Sequence, residues 1–191
     1  MIVYIHGASA TAESFNYIRQ HIDHKDIAIE YDSSHGFKEN LEEMKEVIKK
    51  YDNIIFIAHS LGGIYALHLA NEFPEKIKGA VTLSTPYGGA EVADYAKYFL
   101  PFSRLLRDIG PSSWPMKTAK DIKVKHPWVN IVTTAGKSPW MNVANDGVVT
   151  ISSMKKRSED MEIVEVDTNH YEVLVSNRVV DILKNKLSGL K

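Results

Sequence analysis

The stretch "NIIFIAHSLGGIYAL", residues 53–67, decides how this chain is read. Asn53 to Ala58 is a nearly continuous apolar run, as expected of a strand buried on both faces in the middle of a parallel sheet. Leu61 to Phe73 reads as a helix, and Pro74 marks its end because proline cannot occupy a helix interior. Ser60 therefore stands at a sharp strand-to-helix turn. Such a turn strains the serine backbone and lifts its hydroxyl clear of the sheet. Residues two before and two after the serine then come close together and must be small, as Ala58 and Gly62 are. Gly63 leaves further room for the helix to pack on the sheet. The pentapeptide alone does not separate a nucleophile from an ordinary serine in a turn, so the rest of the chain has to.

Working outward, strands alternate with helices. Ile2–Ile5, Ile27–Tyr31, Asn53–Ala58, Lys78–Ser84, Val129–Thr134 and Met161–Val166 read as strands. Thr11–Ile22, Phe37–Tyr51, Leu61–Phe73 and Asn177–Leu187 read as helices. In Phe37–Tyr51 the apolar Leu41, Met44, Val47 and Ile48 recur at helical spacing between charges. This alternation predicts an α/β fold: a three-layer α/β/α sandwich with a mostly parallel six-stranded sheet.

At 191 residues, the chain is expected to form a single domain spanning 1–191. The net charge of −1 and the lack of a basic cluster interleaved with aromatics argue against nucleic acid as a partner. With no cysteine there is no disulfide, no thiolate catalysis and no Cys-zinc site. No apolar run reaches transmembrane length, and the opening MIVYIHG lacks the pattern of a signal peptide, so a cytoplasmic location is the expectation. His21 and His24 form an H-x-x-H pair among charged residues with no evident third ligand, so no metal site is assigned. Lys155-Lys156-Arg157 reads as a solvated turn.

One segment breaks the alternation. Roughly 86–126 lies between the fourth and fifth strands and holds Tyr87, Tyr95, Tyr98, Phe99, Phe102 and Trp114. Ala90–Phe99 and Ser103–Ile109 are candidate short helices. A long excursion leaving a strand's carboxyl end, where open α/β sheets bind ligands, is expected to form a cap or lid over a pocket. Tyr87, Phe99, Phe102 and Trp114 are the candidate substrate-binding residues. The alternative is a surface excursion with a small core of its own.

A serine nucleophile needs a base, and the base needs an orienting acid. On this scaffold they follow in the order Ser, acid, His. Beyond the elbow helix only His126 and His170 remain. His170 follows the sixth strand and lies at the productive edge, whereas His126 precedes the fifth and falls at the opposite one. Asp146, in the turn-forming "NDG" after the fifth strand, is favoured as the acid over Asp167, which is on the same loop as the histidine. An oxyanion hole needs two backbone N–H groups. Leu61, after the serine, and Ala8, in the "HGAS" loop after the first strand, are the candidates. His6 is expected to fix that loop by hydrogen bonding, and His59 to point away from the site.

At these residues the chain resembles the α/β-hydrolase superfamily, and within it the small bacterial lipases and esterases. "VYIHGASATAESF" resembles their oxyanion loop and "AHSLGG" the elbow of the lipase subgroup, where Ala replaces the first Gly. "LSTPYGGA", "NDGVV" and "NHYEVL" resemble the stretches that follow in the same order. Larger members carry further strands before the oxyanion strand, so the resemblance is to the minimal α/β-hydrolase fold. It implies Ser60 as nucleophile, Asp146 as acid, His170 as base, Ala8 and Leu61 as oxyanion donors, and no cofactor. The implied activity is cleavage of a small-molecule ester or lipid-like acyl substrate. The same residues would serve a thioesterase, an amidase or a peptidase, and a non-catalytic binding module on this scaffold is the reading from another class.

Overall fold

The computed structural model describes residues 1–88, 113–138 and 141–190. Its elements in chain order are β1 (Ile2–Ile5), α1 (Asn16–His21), β2 (Asp26–Ile29), α2 (Phe37–Ile48), β3 (Ile54–His59), α3 (Leu61–Glu72), β4 (Ile77–Leu83), α4 (Trp114–Asp121), β5 (Trp128–Thr133), α5 (Ile151–Met154), β6 (Glu162–Val166) and α6 (Asn177–Ser188). The strands form one sheet in the order β2-β1-β3-β4-β5-β6, and every neighbouring pair is parallel.

Period-two alternation sorts the side chains onto two faces. Val3, Ile5, Ile54, Phe56 and Ala58 join a core with Leu41 and Met44 of α2, Ile64 and Leu67 of α3 and Met116 of α4. Ile2, Tyr4, Ile55, Ile57, Val81 and Ile131 point the other way, toward Ile18 of α1 and Val179, Val180 and Leu183 of α6. The result is three layers, with the helices divided between the two sides of the sheet. β3 is buried along its whole length, and so is α3 from Leu61 to Ala70.

Several boundaries differ from the sequence reading. The helix expected from Thr11 begins instead as a 3₁₀ turn over Ala12–Phe15 and becomes α-helical only at Asn16. Phe15 is drawn into the core there, its ring 5.0 Å from that of Tyr4. Within the 86–126 excursion, α4 is an element the periodicity did not reveal. Its signals were local: Ser113 at the N-cap position and Pro115 in the first turn. The candidate helices Ala90–Phe99 and Ser103–Ile109 lie outside the described residues, as do Phe99 and Phe102.

The parallel arrangement positions the site. β1, β3, β4, β5 and β6 all deliver their following loops to one edge of the sheet. From β1 the chain moves outward to β2, then returns past β1 to β3, so the strand order reverses between β1 and β3. Crevices outside such a reversal are where open α/β sheets take ligands. The loop after β1 and the turn after β3 both open there.

Candidate active site

The elbow is built by strain and by the absence of side chains. Ser60 has φ 50° and ψ −121°, a left-handed region uncommon for a residue with a Cβ. Its backbone is held on both sides: the N–H donates to Leu83 O at 2.8 Å, and its carbonyl accepts from Gly63 N at 3.0 Å and Thr85 Oγ1 at 3.1 Å. A Cβ on Gly62 would lie 2.2 Å from Ile5 O and 2.7 Å from His6 O. The demand for a glycine at 62 thus comes chiefly from the end of β1, rather than from Ala58 as the elbow argument suggested. A Cβ on Gly63 would lie 2.1 Å from Thr85 Oγ1, so this glycine makes room for the side chain that secures the Ser60 carbonyl. Ser60 is half-buried, and among the described residues its hydroxyl has no hydrogen-bond partner. The backbone N–H groups of Ala8 and Leu61 are likewise without a partner among the described residues.

Asp146 and His170 meet across 24 residues of sequence. His170 Nδ1–H donates to Asp146 Oδ2 at 2.7 Å, and both side chains are buried. The backbone reinforces the pair, with His170 N–H donating to Asp146 O at 3.0 Å. The acid stands in a tight turn. Asp146 N–H donates to Val149 O at 3.0 Å, and Gly147 supplies a φ of +98°. Beneath it runs Gly136, where a Cβ would lie 2.1 Å from Asp146 C. Asp146 Oδ1 accepts the N–H groups of Val148 (3.0 Å) and Val149 (2.7 Å), and Oδ2 also accepts Thr133 Oγ1–H at 2.5 Å. Burial pushes this carboxyl up, but the bonds from His170, Thr133 and Val149 outweigh it and leave it below its ordinary value. An ionised Asp146 places the imidazole proton on Nδ1, so His170 Nε2 is left as a proton acceptor.

The loop bearing His170 is shaped by Asn169, whose Oδ1 accepts the N–H groups of Tyr171 and Glu172, both at 2.9 Å. It is also tied to the elbow. His59 Nε2–H donates to the His170 carbonyl at 2.9 Å, with the two rings 4.8 Å apart. His59 therefore points toward the site, contrary to the sequence expectation. Burial, with His170 beside it, pushes the His59 imidazole down to about 3, so the ring is neutral. Its other nitrogen, Nδ1, is buried, has no hydrogen-bond partner among the described residues and packs on Gly7, where a Cβ would come within 2.9 Å.

His6 secures the loop after β1. Its Nδ1–H donates to Gly7 O at 2.8 Å, its Nε2 faces Tyr31 N–H at 3.3 Å, and its ring stacks on Tyr31 at 4.1 Å. Burial lowers its pKa against the opposing pull of the Gly7 carbonyl and Glu30. Beside this loop, Ser9, Ala10 and residues 30–34 line an open cleft of about 570 Å³.

The other candidates fall elsewhere. Asp167 is exposed, and His126 precedes β5 at the opposite edge of the sheet. Tyr87 is a core residue: it is 4% exposed, its hydroxyl donates to Thr82 Oγ1 at 3.1 Å and it accepts Trp128 Nε1–H at 2.9 Å. A ring so enclosed packs β4 against β5 and does not line an open pocket. Trp114 is 53% exposed, at the start of α4 and 5.4 Å from the His68 ring. His21 and His24 are bonded to the backbone carbonyls of Tyr17 and Lys25. Arg157, expected in a solvated turn, instead donates to Ala119 O and Ile122 O at the end of α4 and pairs with Asp160. Sequence reasoning missed Thr133 and Ser84. Thr133 ends β5 and Ser84 follows the end of β4 at the same edge of the sheet, but a hydroxyl there has no periodicity to betray it.

Residues 2–172 match the model of the alpha/beta hydrolase family, and the chain belongs to that family. The lipase BlEst2 of Bacillus licheniformis superposes with a TM-score of 0.71 at 15% identity, over 97% of this chain and 91% of that one. The monoacylglycerol lipase of Paleococcus ferrophilus superposes with 0.69 at 14% identity, over 99% and 93%. Methylketone synthase I of tomato, seen with 2-tridecanone, superposes with 0.67 at 15% identity, over 100% and 98%. At these identities the likeness is one of fold. No curated protein matches the sequence. Among the described residues no helix is long and apolar enough to cross a membrane.

Proposed function

We propose that this hydrolase-family chain cleaves carboxylic esters through an acyl-enzyme on Ser60. The observation that carries the reading is the conjunction of a strained Ser60 at the head of α3 with a buried, hydrogen-bonded Asp146–His170 pair tied to the same elbow. His170 Nε2 takes the proton of Ser60 Oγ as the oxygen attacks the ester carbonyl carbon. The negative oxygen of the tetrahedral intermediate is held by the Ala8 and Leu61 N–H groups, with the positive end of the α3 dipole behind Leu61. The C–O bond to the leaving alcohol breaks, and that alcohol takes the proton from His170. Water then repeats the sequence on the acyl-serine, releasing the carboxylic acid and free Ser60. Asp146 holds the imidazole in the required tautomer throughout. No cofactor enters.

The lipases among the structural neighbours, and a neighbour seen with a long-chain ketone, support an acyl substrate with an apolar tail. Trp114, and Phe99 and Phe102 from the excursion, are proposed to contact that tail.

The test is Ser60→Ala against p-nitrophenyl esters of graded chain length, with fluorophosphonate labelling of the wild type. We expect labelling at Ser60 and a loss of activity of at least about 10³-fold in the variant. Full activity in Ser60→Ala would remove Ser60 as the nucleophile. Thioesters and amides in the same panel fix the leaving-group preference, because all pass through the same tetrahedral chemistry.

A further inference from the structure

Behind Asp146 lie two buried hydroxyls that no step of the proposed reaction uses. Thr133, the last residue of β5, donates to Asp146 Oδ2 at 2.5 Å, and Ser84, just past β4, lies 2.9 Å from Thr133 Oγ1. The direction of the chain follows from counting protons. A carboxylate only accepts, so the single Thr133 proton goes to Asp146. Thr133 must then accept from Ser84, so donation converges on Asp146: from Ser84 through Thr133 on one side and from His170 Nδ1–H on the other.

Ser84 is placed for this by an unusual backbone. Its φ is +53°, although it has a side chain and is fully buried. The β4–β5 register pairs Thr82 with Asn130 and Leu83 with Ile131, and regular continuation would set Ser84 opposite Val132. The N–H keeps that register, donating to Ile131 O, but the left-handed backbone brings the Ser84 hydroxyl to Thr133 instead. Strain of this kind persists where the surroundings over-determine it, and here Ser84 N–H is anchored on Ile131 O at 2.9 Å.

We propose that Ser84 and Thr133 are positioning residues that hold Asp146 Oδ2 on His170 Nδ1 and draw off part of its negative charge. The inference rests on the reading of Asp146 and His170 given above. The two oxygens of Asp146 have divided duties. Oδ1 is fixed by the N–H groups of Val148 and Val149, and Oδ2 is shared between Thr133 and His170. A carboxylate so bonded orients the imidazole without gripping its proton as strongly as a bare one would. Among the described residues, the titratable groups facing His170 are Asp146, His59 from the end of β3 and Tyr171 from its own loop. His59 is neutral, so the charge on Asp146 sets the balance.

The experiment compares kcat/KM against pH in wild type, T133V, T133S and S84G. In T133V the charge concentrates on Oδ2 and the imidazolium is held more tightly. The acid limb therefore moves up by about half a pH unit and kcat/KM on that limb falls by up to about three-fold, with KM little changed. T133S keeps the hydroxyl and restores both. S84G suits the left-handed backbone while removing the donor, and moves the limb the same way by less. Should T133V fail to fold, S84G carries the test. A limb left at the wild-type pH or moved down overturns the proposal. Nitrogen NMR of the Asp146–His170 pair reads the same shift without substrate, and Ser60 labelling in each variant reports separately on the nucleophile. An unmoved limb with labelling intact thus defeats this inference alone, whereas active Ser60→Ala defeats the ester-hydrolase reading.

Discussion

Gly62 meets a backbone that cannot yield. The nearest atoms to an added Cβ are the Ile5 and His6 carbonyl oxygens and the Ile5 carbonyl carbon, all within 2.8 Å. Main-chain atoms at the end of a buried strand cannot rotate away as a side-chain terminus can. Gly62→Ala should therefore destabilise by about 3 kcal/mol, at the upper end of overpacking effects, read as a fall in the urea midpoint at neutral pH. A variant as stable as wild type would show that α3 shifts freely on β1. The same loop explains why His59 is constrained. Its Nε2–H is committed to the His170 carbonyl while its Nδ1 rests on Gly7, so one neutral imidazole joins the loops after β1 and β6 to the elbow.

Among the elements, α4 has the most telling attachments. It brings the chain back from the excursion and is gripped at both ends by side chains from elsewhere. His68, on α3, donates Nε2–H to Pro115 O at 2.9 Å near its start. Arg157 donates to Ala119 O and Ile122 O at its end, where the unpaired carbonyls of a helix terminus need partners and a cation suits the dipole. Arg157→Ala should cost about 1–2 kcal/mol through the loss of two charge-assisted bonds. Lysine at 157 should restore only part, because one ammonium lacks the planar fork that reaches both carbonyls. Faster amide hydrogen exchange in 117–122 than in α3 would confirm where the loss falls; equal acceleration in both would refute a local role. The basic run at 155–157 read as solvated because charge alone gives no hint of a carbonyl partner more than thirty residues earlier.

Across the whole molecule, the buried histidines set an acid limit. His6, His59 and His68 are each lowered from 6.5, chiefly by burial. A histidine whose folded pKa is depressed contributes its stability in full above the unfolded value of 6.5, where neither state is charged. That contribution is lost as pH falls toward the folded value, about 3 for His59. Each such histidine adds at most about 1.4 kcal/mol of lost stability per pH unit over its window. Asp146 is also lowered, so its contribution is present above 3.8 and disappears only below it. The urea midpoint should therefore fall steadily from about pH 7 to pH 4, and less steeply in His59→Gln. A flat midpoint over that range would contradict the burial of these rings. By itself the sequence determined the alternation of strands and helices, the strand-to-helix turn at Ser60, and the loops after β5 and β6 on which Asp146 and His170 stand. Periodicity and turn chemistry are local properties, and the parallel sheet then sends the right loops to one edge. Only the tertiary structure decided that Ser84 and Thr133 stand behind Asp146, that His59 faces His170, that Tyr87 is core and that Arg157 closes α4. Those contacts join residues from about ten to more than a hundred positions apart, and they exist only where loops and strand ends converge, so no local pattern foreshadows them.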